Sequence, residues 1–257
     1  MTLRIEREGA IARLVLDRPE RGNAIDMAMA TALGEAAREV ATDTAIRCVV
    51  LTGSGRLFCA GGDVAAFAAA PERGAFLREL ADTLHAAIRV LATMDKPLLV
   101  LVNGPAAGAG LSLALLGDVV LAGGSAHFTA AYGGIGLTPD GGMSWLLPRL
   151  IGLRRAQEIV LTNRRIGADE AEAIGLITRV ADSDLAAEGM AMAQRLAAGS
   201  TVAISAARHL LLDGSMRSLS DHLDMEAAAI AAAGDRAEAR EGIAAFLDRR
   251  KPDFTGA

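Results

Sequence analysis

The amino-acid sequence predicts an α/β fold that ends in a helical region. Three observations carry this. Aliphatic, β-branched runs such as IRCVVLTG (46–53) and KPLLVLVNG (96–104) read as strands buried on both sheet faces. A glycine-rich loop and then helical text follow them, the alternation that builds α/β layers. After about residue 184 no strand pattern returns.

Element by element, residues 2–7 and 10–16 read as two strands joined near Gly9, leading into LDRPERGNAID. Helical apolar spacing covers 26–43, with Asp26 as its N-terminal cap. The strand 46–53 leads through SGRLFCAGGD to helical text from Val64, interrupted around Pro71 and resuming near Ala75. KPLLVLVNG is the next buried strand, followed by a glycine loop and a helix to Leu116. DVVLAGG (118–124) and AHFTAAY (126–132) read as short strands, and LITRV (176–180) as another. Four helical stretches separated by glycine fill the remainder, so the chain divides into a core, 1–183, and a helical oligomerisation region, 184–257.

At 257 residues the chain is long enough to bury a large core. It is 52% hydrophobic but only 3% aromatic, which suits close-packed, alanine-rich helices. The net charge is −5 and no basic block is interleaved with aromatics, which excludes nucleic acid as the expected partner. Cys48 and Cys59 have no metal-ligand spacing. MTLRIEREGA is too charged for a signal peptide, so the expected location is cytoplasmic. The uncharged stretch Pro97–Gly117 approaches the roughly 20 residues of a membrane span. It is broken by Asn103, Gly104, Pro105, Gly108 and Gly110 and reads instead as strand, loop and helix, so no membrane partner is expected.

Three loops could carry chemistry. In LFCAGGDVAAF, Gly61 and Gly62 let the backbone approach a ligand, while Asp63 begins a helical segment whose free N–H groups face an anion. The plain alternative is a loop capped by Asp63. In VNGPAAGAGLSLALLGD, backbone N–H groups near Ala109 and Gly110 converge on one point, and with the first loop could form an oxyanion hole. Tight helix–sheet packing also explains those small residues. GLSLA imitates a nucleophile elbow at Ser112, but a long loop separates strand from serine, and His127, His209 and His222 lack supporting context. In YGGIGLTPDGGMSWLLP, Asp140 is the single charge. Either it is a turn residue, or it is a base in an apolar pocket, where desolvation would lift a carboxylate above its reference value of about 3.9. Tyr132 beside it could bind a ligand or simply pack. Leu137, Met143 and Trp145 are the candidates to keep water from Asp140.

In order and spacing, LDRPERGNAID, FCAGGDV, VNGPAAGAGLSLALLGD, FTAAYGGIGLTPDGGMSWLLPRLIG, RIGADEAEAIGLITRV and AFLDRRKPDFTG resemble the crotonase superfamily of enoyl-CoA hydratases and isomerases. The resemblance implies a spiral of repeated β-β-α units with a C-terminal helical trimerisation region, giving a homotrimer or a dimer of trimers. It also implies an acyl-CoA thioester substrate, with coenzyme A as part of that substrate and no separate cofactor or metal. The two family amides of the oxyanion hole fall on Gly62 and Ala109. The two hydratase glutamates fall on Ser112 and Tyr132, neither a carboxylate. The acidic residue of the enoyl-CoA and epoxyphenylacetyl-CoA isomerases falls on Asp140. Ala60, Asp63 and Val64 join the implied substrate site, and Arg21 and Lys251 are the candidates for the CoA phosphates. The resemblance therefore points to a double-bond isomerase. A hydratase, another enolate reaction such as thioester hydrolysis or dehalogenation, and a non-catalytic acyl-CoA-binding paralogue are the alternatives.

Overall fold

The computed structural model describes residues 2–256. Strands β1 (Leu3–Glu8) and β2 (Ile11–Leu16) form an antiparallel hairpin, turned at Gly9 with φ +55°. Helix α1 (Met27–Thr42) is capped as expected: the Asp26 carboxylate accepts from the Met29 N–H at 2.8 Å. Strand β3 (Cys48–Gly53) precedes α2 (Val64–Ala69) and the long α3 (Arg73–Thr93). Strands β4 (Leu98–Val102) and β5 (Ala106–Ala107) precede α4 (Ala109–Ala114). Strands β6 (Val119–Ala122) and β7 (His127–Thr129) precede α5 (Met143–Ile151) and α6 (Leu153–Thr162). Then come β8 (Ile166–Gly167), α7 (Ala168–Ala173) and β9 (Arg179–Val180). The chain closes with α8 (Leu185–Ala197), α9 (Thr201–Gly214), α10 (Leu219–Gly234) and α11 (Ala237–Leu247).

Two sheets result. The larger has the order β1-β2-β3-β4-β6-β9, parallel except at β1, and the smaller has the order β5-β7-β8. Two turns of chain, β4-β5-α4 and β6-β7-α5, each give one strand to the large sheet, one to the small sheet, and then a helix. That is the expected spiral of β-β-α units. The first turn contributes to the small sheet only a bridge from Cys59 to Ala106. β4 is buried along its whole length, in keeping with the uninterrupted apolar run read in the sequence.

Two strands are shorter than the sequence suggests. The stretch 126–132 is extended only over His127–Thr129. At Ala131 the backbone turns left-handed (φ +67°), its N–H held by the Asn163 Oδ1 at 2.6 Å, and Tyr132 starts a short 3-10 turn. The stretch 176–180 pairs only at Arg179–Val180, because the Leu176 N–H turns back to the Ala171 carbonyl at 2.8 Å. Helices α5 to α7 lie in text the sequence reading leaves unassigned; α5 carries Pro148 inside it, which masks its periodicity.

The helices after 184 do not behave as one unit. Helix α8 covers the second face of the large sheet, where Ala193 and Ala197 pack with Ile11, Cys48, Val50, Leu99, Leu101 and Leu121. Helix α9 is anchored by Arg208, whose guanidinium binds the Asp118 carboxylate at 2.7 Å and the Met94 and Leu91 carbonyls at 2.9 Å. Helices α10 and α11, by contrast, leave Leu219, Ile230, Phe246 and Leu247 more than 70% exposed (76%, 75%, 83% and 73%). Among the described residues no helix is long and apolar enough to cross a membrane, and no group of three His, Cys, Asp or Glu is arranged to hold a metal.

Candidate active site

The loops after β3 and β4 run against each other. The Ala107 N–H donates to the Cys59 carbonyl at 3.0 Å, and a Cβ on Gly61 would meet the Ala107 oxygen at 2.8 Å. Gly61 (φ +101°) and Gly108 (φ +52°) adopt backbone conformations that side chains rarely tolerate. This approach brings the next residue of each loop, Gly62 and Ala109, onto the wall of one cavity of about 340 Å³. Among the described residues neither the Gly62 nor the Ala109 N–H donates a hydrogen bond. Ala109 is the first residue of α4, so its N–H has no partner within the helix.

Asp140 reaches the same cavity from the loop before α5. The Tyr132 hydroxyl donates to Asp140 Oδ1 at 2.5 Å. Burial foremost, then the Asp140 charge and this bond, pushes the Tyr132 phenol far above its usual range, so it remains a donor at every ordinary pH. Tyr132 therefore does more than pack: it lines the cavity, and its hydroxyl is held by the carboxylate. The rest of the wall is mostly apolar, with Val64 and Phe67 from α2, Leu77, Leu80 and Leu84 from α3, and Ile135 and Leu137 from the loop; Arg78 of α3 and Thr138 are its polar members.

The other sequence candidates fall in different places. Ala60 and Val64 line the cavity. Asp63 is not on its wall: its carboxylate caps α2 through the Ala66 N–H and pairs with Arg18, both at 3.3 Å, which is the plain reading of that residue. Ser112 is fully buried behind Tyr132, and its hydroxyl donates to the Asp140 carbonyl at 2.9 Å. It sits inside α4 rather than at a sharp strand-to-helix turn, which removes the nucleophile-elbow alternative. Arg21 and Lys251 are exposed and off the cavity wall. Of the residues expected to exclude water, only Leu137 lines the cavity; Met143 is buried in the core, and Trp145 is 42% exposed with the Arg149 guanidinium stacked over it at 3.9 Å. Burial pushes the Cys48 and Cys59 thiols up to about 12, so neither is a ready nucleophile.

Two contributions escaped the sequence reading. The α3 wall, Leu77, Leu80, Ala81 and Leu84, has helical spacing that was legible but gave no sign of facing a ligand. His85, one residue on, accepts from the Gly141 N–H through Nε2 at 3.0 Å. No local signal marks a lone histidine as the partner of a residue 56 positions away.

Among the described residues, two backbone N–H groups without a partner and one held carboxylate thus lie on the wall of a single, mostly apolar cavity, the kind of arrangement that can stabilise an oxyanion. The chain belongs to the enoyl-CoA hydratase/isomerase family, whose profile matches residues 6–257. It is 39% identical over 255 residues to the 1,2-epoxyphenylacetyl-CoA isomerase of Escherichia coli, covering 97% of this chain and 96% of that one. It is also 35% identical over 253 residues to the 2,3-dehydroadipyl-CoA hydratase of Escherichia coli, covering 98% of each. The crystal structure of an enoyl-CoA hydratase from Polaromonas sp. superposes with a TM-score of 0.91 at 36% identity over 98% of both chains. The fold is thus that of an enzyme family in which both isomerases and hydratases are named.

Proposed function

We propose that this enzyme is an acyl-CoA isomerase that moves a double bond from the 3,4 to the 2,3 position of an enoyl-CoA thioester. The observation that carries the reading is Asp140, among the described residues the one carboxylate on the cavity wall, sharing that wall with the free Gly62 and Ala109 N–H groups. Asp140 takes a proton from C2 of the substrate, and the C2–H electron pair moves into a dienolate whose charge gathers on the thioester oxygen. The two N–H groups hold that oxygen. Asp140 then returns the proton to C4, leaving the double bond at C2–C3. One base suffices because the proton leaves and rejoins on one face.

The hydratase alternative is favoured by one observation, the similarity to a named hydratase. Against it, hydration needs carboxylates to place and deprotonate a water. The positions that would supply them are Ser112 and Tyr132, and both hydroxyls donate to Asp140, one to its carbonyl and one to its carboxylate. The test is turnover of a 3-enoyl-CoA against crotonyl-CoA. Isomerisation is expected, with hydration slower by at least about two orders of magnitude, the lower end of what general-base catalysis contributes. Comparable rates on the two substrates would overturn the isomerase reading.

The apolar residues exposed on α9 to α11, Leu211, Leu219, Ile230, Phe246 and Leu247 among them, support assembly into a homotrimer or a dimer of trimers. Sedimentation at micromolar concentration is expected to give three or six chains per particle; a stable monomer would remove the claim.

A further inference from the structure

Asp140 is followed by a peptide unit that two other elements grip. Its carbonyl accepts from the Ser112 hydroxyl of α4 at 2.9 Å, and its N–H, that of Gly141, donates to His85 Nε2 of α3 at 3.0 Å. The two groups belong to the same peptide plane, so the pair of contacts fixes the plane's rotation. That rotation is ψ of Asp140 and φ of Gly141, and φ of Gly141 is +63°. The space beside the plane is closed as well: a Cβ on Gly141 would lie 2.7 Å from the Ser112 Cβ. The Tyr132 hydroxyl then fixes the carboxylate itself at 2.5 Å.

We infer that His85 and Ser112 are a pair of positioning residues that clamp the 140–141 peptide and thereby aim the Asp140 carboxylate into the cavity. The inference rests on the isomerase reading above and deepens it. Ser112, which stands where the resemblance places a hydratase glutamate, turns that position from supplying a base to holding one on the neighbouring loop. His85 completes the clamp from the opposite partner of the same amide. It accepts the Gly141 N–H only with Nε2 unprotonated, so the ring's proton sits on Nδ1. Neither residue is on the cavity wall, so neither contacts the reacting atoms.

The test compares His85→Leu with His85→Gln in the full-length protein. Leucine keeps the bulk and removes the acceptor, whereas glutamine offers Oε1 near the position of Nε2. His85→Leu is expected to lower kcat on a 3-enoyl-CoA about 10²-fold with KM nearly unchanged, the cost of misplacing a reacting group by about 1 Å. His85→Gln is expected to recover most of that loss. The Gly141 amide gives a readout independent of turnover: its proton should exchange faster in His85→Leu than in the wild type, and slowly again in His85→Gln. Full activity in a folded His85→Leu, or equal losses in both variants, would overturn the clamp. Absence of isomerase activity in the wild type would instead overturn the reading on which the clamp rests, so the two failures are told apart.

Discussion

Asp140→Asn is expected to lower 3-enoyl-CoA isomerisation by about 10²–10⁴-fold, the usual contribution of a general base. Asparagine has nearly the volume of aspartate, and its Oδ1 still accepts from Tyr132, which donates at 2.5 Å in the native pair. Fold and thioester binding should therefore survive, and only the basic oxygen is lost. The decisive measurement is exchange of the substrate's C2 proton in deuterated water, followed beside turnover. Wild type should exchange and isomerise; the variant should bind substrate and do neither. Full activity in Asp140→Asn would return Asp140 to a turn residue and end the one-base mechanism.

Ala109→Pro is expected to cost about 10²–10³-fold in kcat by a separate route, loss of one oxyanion donor. Proline is tolerated at the first position of a helix, and Ala109 opens α4. The residue before a proline is normally barred from helical backbone. Gly108, at φ 52° and ψ −124°, holds the mirror image of an extended conformation, which leaves the proline ring room. The substitution therefore removes an N–H with little else changed. Gly62→Ala is a poorer probe, because its Cβ would strike the Phe67 ring at 2.3 Å and alter the cavity wall. In Ala109→Pro, affinity for free coenzyme A should hold while turnover falls. An unchanged kcat would show that the Ala109 N–H does not meet the developing charge.

Much of this was legible from residue order alone. Long apolar runs bounded by glycine give strands wherever they are read, and the caps at Asp26 and Asp63 are local chemistry, a carboxylate beside the N–H groups it accepts from. The glycines of both loops announced a close backbone approach, since only glycine adopts the positive φ of Gly61 and Gly108 at little cost. Asp140 stood out because nothing else in its loop is charged.

Tertiary structure decided where the remaining side chains point. Whether α8 lies on the sheet or in an outer arm depends on which face of the large sheet is left uncovered, and Ala193 and Ala197 close it against Leu99 and Leu101. Tyr132 and Asp140 are eight residues apart, and the left-handed turn at Ala131, held by Asn163, brings the phenol round to the carboxylate. Ser112 and His85 meet the 140–141 peptide from 28 and 56 residues away. Hydrogen bonds of that kind leave no periodicity in the sequence, because they depend on the packing of α3 and α4 around one loop and not on any pattern within a segment. The sequence alone determined the strands, the glycine turns and the lone carboxylate; packing determined what holds that carboxylate in place.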